Sequence, residues 1–175
     1  MKYFISLLFI AFLGNAHAQS FESVKDRTGK QLLKGFVTDS ILLADTVNFS
    51  WFPDHQKAYS PAENIVKTFS ENKNELRFMV FFGTWCTDSH YIIPRFYKII
   101  EQSGIDKNKI SLFALDRTKK DAAHFAENFA VAHVPTIIIL QQGKELGRLV
   151  EYGTSGKFDE ELAGIIKNIR KPATD

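Results

Sequence analysis

The chain has 175 residues, with 22 Lys and Arg against 20 Asp and Glu, for a formal net charge of +2. That near-neutral balance, without a cationic stripe, excludes a nucleic-acid footprint, while 13% aromatic residues, 16 of them Phe, supply a well-packed core. The single cysteine, Cys86, excludes an internal disulfide.

The first twenty residues, "MKYFISLLFIAFLGNAHAQS", run from one cation, Lys2, through an apolar stretch to Ala16-His17-Ala18. That order reads as a secretory signal peptide over residues 1–18, cut between Ala18 and Gln19. The apolar run from Tyr3 to Leu13 is shorter than the roughly 20 residues a membrane span needs. The expected product is an exported protein, periplasmic or secreted, with no membrane span in the mature chain. In such a protein an unpaired thiol marks a reactive residue.

Residues 19–59 read as an N-terminal extension. It opens polar, with "DRTGK" as a turn, and then "GFVTDSILLADTVNFSWF" predicts one or two strands between Phe36 and Phe52. In "YSPAENIVKTFSENK", Ser60 is the expected N-cap, Pro61 the first helical residue and Glu63 the partner of a capping box. "ELRFMVFFG" reads as a strand buried on both faces. Beyond Cys86 the period becomes helical: Ile92, Ile93, Phe96, Ile99 and Ile100 share one face, and Gly104 ends it.

"ISLFALD" is a further short strand. "KKDAAHFAENFAVAH" predicts an amphipathic helix with Ala122, Phe125, Ala126 and Phe129 inward. "TIIILQQGKELGRLVEYG" reads as a hairpin turning at Gln141 to Lys144, and "KFDEELAGIIKNIRK" as a final helix on Phe158, Leu162, Ile165, Ile166 and Ile169. This order implies an α/β fold: a largely parallel sheet, covered by helices on both faces and finished by an antiparallel hairpin, hence a central mixed sheet.

Cys86 sits where a strand gives way to a helix. Free N–H groups and the helix dipole there favour a thiolate and lower a thiol pKa. Ser89, one turn on, is in reach to donate a hydrogen bond to the sulfur. Asp88 favours the helix start but opposes a neighbouring thiolate. His90 lies one turn from Cys86, and His133 lies two residues before Pro135. As imidazolium, either modulates the thiol; as neutral ligands they complete a soft or borderline metal site with it. His55 and His124 have no partner visible in the sequence, and no metal or other cofactor is assigned.

Four features in fixed order make residues from about Ser60 onward resemble the thioredoxin family: a buried strand leading into Trp85-Cys86, Pro94 eight residues on, "VPT" at Val134 to Thr136, and Gly143 at the hairpin turn. The resemblance implies a thioredoxin-like domain over 60–175 and a catalytic site of Trp85, Cys86, Ser89 and Pro135. It also implies a cis Val134-Pro135 bond that sets the Val134 backbone opposite Cys86, with Val134 and Thr136 binding an extended substrate. The chain departs from the pattern at two places. The family's second cysteine is Ser89, giving a monothiol C-x-x-S motif, and its buried proton-accepting aspartate is Val80.

The leading expectation is an exported thioredoxin-like protein whose one cysteine exchanges with disulfides. Its partners would be an exported protein or a small-molecule thiol or disulfide, with an external thiol as reductant. The alternatives are a redox-inactive peptide-binding module, and a metal-handling protein using Cys86, His90 and His133.

Overall fold

The computed structural model describes residues 21–121 and 124–169, so the expected signal peptide and Ala122 lie outside the described residues. The described chain starts with a hairpin, β1 (Phe21–Lys25) and β2 (Gln31–Val37). Asp26 builds its turn: the carboxylate accepts from the Thr28 N–H and hydroxyl and from the Lys30 N–H. Gly29 takes the left-handed φ of +81° that the turn requires.

The strands expected between Phe36 and Phe52 are not there. The extension's strands end at Val37, and three short helices follow: α1 (Asp39–Ala44), α2 (Thr46–Phe49) and α3 (Trp51–Lys57). The reason is burial. Leu42, Phe49 and Phe52 recur at helical spacing and are buried in the main core. Asp45 starts α2 by accepting from the Asn48 N–H.

Helix α4 (Glu63–Glu71) begins two residues later than the capping box predicts, with Ala62 as an extended N-cap and no side-chain cap bond. Tyr59 donates to Asp159 at 2.7 Å, so a tertiary anchor holds the approach and Ser60 does not cap. Then come β3 (Leu76–Phe82), α5 (Thr87–Ser103), a 3₁₀ turn (Lys107–Lys109) and β4 (Ile110–Ala114). A one-turn α6 (Phe125–Asn128), the hairpin β5 (Thr136–Gln141) and β6 (Lys144–Val150), and α7 (Phe158–Lys167) complete the chain.

The six strands order as β1-β2-β4-β3-β5-β6. Only β3 and β4 pair in parallel; the other pairs are antiparallel. The sheet is therefore mixed but not largely parallel, because β2 returns from a hairpin to join β4 and β5–β6 is itself a hairpin. That hairpin turns on Gln142 and Gly143, both left-handed at φ +51° and +77°, as a two-residue turn of this hand demands.

Alternation along the strands separates two apolar layers. Phe78, Val80 and Phe82 of β3, with Ile137 and Ile139 of β5, face the helical layer, where Phe49, Phe52, Phe69, Phe96 and Ile166 pack. Met79, Phe81 and Ile138 face the opposite layer, with Phe113, Leu115, Ala126 and Val134. Helices thus cover both faces, unequally.

The thin side differs from expectation. Among the described residues of 119–133, only Phe125–Asn128 are helical, in place of the expected long amphipathic helix. His124 is left-handed (φ +59°), which stops α6 from extending upstream, and Phe125 is 39% exposed. Ala126 is buried, Phe129 packs partly inward, and the Asp121 carboxylate accepts the Phe125 and Ala126 N–H groups. Among the described residues no helix is long and apolar enough to cross a membrane.

Candidate functional site

Cys86 is the N-cap of α5, held there by its N–H to the Gly83 carbonyl at 3.0 Å. Strand β3 delivers it to the end of the sheet, and the first turn of α5 grows from its carbonyl, which accepts the His90 N–H. The thiol is partly exposed. Its Sγ donates to the Val134 carbonyl at 3.3 Å, so the loop before β5 does face the sulfur. Val134-Pro135 is cis. Thr136 turns its hydroxyl onto the His133 carbonyl at 2.7 Å and is buried, so it braces that loop from within.

Ser89 is fully buried, and its Oγ accepts from the Gly83 N–H at 3.2 Å. Among the described residues it is bonded to the strand end and not to the sulfur, contrary to the expected Ser89–Cys86 hydrogen bond. Trp85 lies along the loop with Nε1 donating to the Leu115 carbonyl at 2.9 Å. Its indole fits because residue 83 is glycine: a Cβ there would meet Trp85 Cε2 at 2.7 Å. The Arg117 guanidinium sits 5.4 Å from the Trp85 ring centre and is tied to Asp26 of the first hairpin at 2.7 Å.

The two histidines do not gather at the sulfur. His90 donates through Nε2 to the Thr84 carbonyl at 2.8 Å and stacks on Trp51, ring centres 4.2 Å apart. Burial, with smaller effects from His55 and Lys30, pushes its pKa below the ordinary value, which favours the neutral ring. His133 faces Glu151 at 3.6 Å on the surface. Among the described residues no three His, Cys, Asp or Glu side chains cluster to hold a metal, so the Cys86–His90–His133 set of the metal-handling alternative is not gathered.

Three neighbours went unread in the sequence. Tyr152 lies beside the site: burial and the Asp88 carboxylate raise its hydroxyl pKa, and Tyr91 and Cys86 add to that. Thr84 accepts the Leu33 N–H at 3.2 Å and donates to the Gln31 carbonyl, joining the site loop to β2. His55 donates through Nδ1 to the His90 carbonyl at 2.6 Å. Pro94 has no N–H to give that carbonyl, four residues back in the helix, so an outside donor is required. A proline inside a helical pattern is the signal that such a donor exists.

No curated protein matches the chain at a significant level. Among solved structures, a protein of unknown function from Pseudomonas aeruginosa is 13% identical with a TM-score of 0.53, covering 75% of this chain and 90% of its own. An HIV epitope scaffold is 12% identical with a TM-score of 0.52, covering 77% and 100%. Thioredoxin from Fasciola hepatica is 20% identical with a TM-score of 0.40, covering 59% and 89%. The thioredoxin family model matches residues 61–167, which hold β3, Cys86, the Val134 loop and the last hairpin and helix. Over that span, which is more than half of its length, the chain belongs to the thioredoxin family.

Proposed function

We propose that this chain is exported and works as a monothiol exchange protein. The Cys86 thiolate attacks one sulfur of a disulfide on an exported protein or small molecule. A Cys86–S–S–R bond forms, the original S–S bond breaks, and the leaving thiolate takes up a proton. An external thiolate then attacks the R sulfur and returns Cys86.

One observation carries the reading. Cys86 is reachable at the start of α5 with its thiol proton on the Val134 carbonyl, while the position one turn on holds a buried hydroxyl. When the proton leaves, that carbonyl becomes free to accept from an extended chain, so attack and substrate docking belong to one loop. Ser89 has no sulfur with which to displace the adduct. Trp85 and Pro135 shape the walls of the site, and Asp88 with Tyr152 borders it. The metal-handling alternative loses its ligand set, since His90 and His133 are engaged elsewhere.

Protein purified from its native cell after acid quenching tests both halves of the proposal by mass spectrometry. The expected N-terminus is Gln19, and the expected state of Cys86 is a mixed disulfide that reductant removes. An intact Met1 terminus would overturn export, and Cys86 found free in every sample would overturn the mixed disulfide.

A further inference from the structure

On the far side of Thr84 and His90 lies a cavity of about 350 Å³ that the exchange reaction leaves unused. Its size falls within the range of small-molecule sites. One wall comes from the extension, with Lys30, Asn48 and Trp51; the other comes from Thr84 and His90, two residues before and four after Cys86. The whole extension wall therefore lies outside the matched family segment, which starts at residue 61.

None of the nine lining residues is a carboxylate. Three nitrogens of lining residues, Lys30 Nζ, Trp51 Nε1 and His90 Nδ1, have no hydrogen bond or ion pair among the described residues; Lys30 is exposed, and the Trp51 and His90 nitrogens are not buried orphans. The His90 tautomer is fixed, because Nε2 must carry the proton given to Thr84. Two carboxylates touch lining residues and both are taken up: Asp45 by the Asn48 N–H and side-chain amide, and Asp26 by the Thr28 N–H and hydroxyl, the Lys30 N–H and the Arg117 guanidinium. Burial first, then the positive fields of His55 and Lys30, disfavour charge on His90. An anion would relieve that field.

We propose that this cavity binds a small organic monoanion, a carboxylate, through the Lys30 ammonium and the Trp51 indole N–H, with its apolar part against the Trp51–His90 stack. Charge-assisted donors of this kind are the strong ones. The site adjoins the Cys86 loop without including the sulfur, so it stands or falls independently of the exchange reaction.

The test is a titration of the full chain carrying Cys86→Ser with benzoate, followed by the indole N–H resonance of Trp51, assigned with Trp51→Phe. The expected result is a saturable shift of that resonance, absent with neutral benzamide. Lys30→Gln should weaken the affinity about tenfold, in line with loss of one charged hydrogen bond. Lys30 is exposed and supports nothing by its side chain, so the variant folds. A Trp51 resonance that does not saturate, an equal response to benzamide, or unchanged affinity in Lys30→Gln would each overturn the proposal.

Discussion

Ser89→Cys should turn a stoichiometric thiol into a catalyst of disulfide reduction. Residue 89 is one helical turn from Cys86, and side chains three apart on a helix lie about 5–6 Å apart at Cβ, within reach of a disulfide after small adjustment. The new thiol attacks the Cys86 mixed disulfide intramolecularly. Release should therefore run at least ~100-fold faster than with millimolar external thiol. The substitution is not free. Ser89 Oγ accepts from the Gly83 N–H in a fully buried position, and sulfur is a poorer acceptor, so about 1 kcal/mol of stability is lost. Val80 limits the gain, because no buried carboxylate stands there to take the resolving thiol's proton. Release of a preformed Cys86 mixed disulfide in the absence of any added thiol or other reductant reads the outcome: it clears in Ser89→Cys and persists in wild type. A folded Ser89→Cys that still needs external thiol for release would contradict this geometry.

Phe52→Ala should cost about 3–5 kcal/mol, the usual penalty for deleting a fully buried aromatic ring. Phe52 belongs to the extension, yet it is 0% exposed in the same core as Phe78 and Phe96 and meets Tyr97 of α5 edge-on at 5.5 Å. The whole chain should melt in one transition at a lower temperature. A loss under about 1 kcal/mol, or a separate early transition with the remainder unchanged, would mean that the extension is an independent appendage.

The parts legible in the sequence were those with strong local signals. β3 and β5 are continuous apolar runs, α5 and α7 keep a clean helical stripe, and Gln142-Gly143 sits where a two-residue hairpin turn belongs. Residues 36–57 were not legible, because Asp45 and Ser50 cut the helical spacing of Leu42, Phe49 and Phe52 into pieces too short to show a period. That misreading carried into the site. The i, i+4 rule places His90 on the same side of α5 as Cys86, but only the folded chain reveals that Trp51 of the extension stacks on its ring and the Thr84 carbonyl accepts its Nε2–H. Likewise the Cys86–Val134 contact was expected from the family pattern, whereas Tyr152 lies 66 residues on and is brought beside Asp88 by the last hairpin.

The most direct test of the central claim is intact-mass analysis of wild-type protein mixed with a symmetric small disulfide. One equivalent of free thiol should appear, the protein should gain one RS group on Cys86, and that adduct should persist until thiol is added, while Cys86→Ser shows no reaction. A folded wild-type protein that gains no mass, or an adduct that clears without added thiol, would contradict the monothiol mechanism.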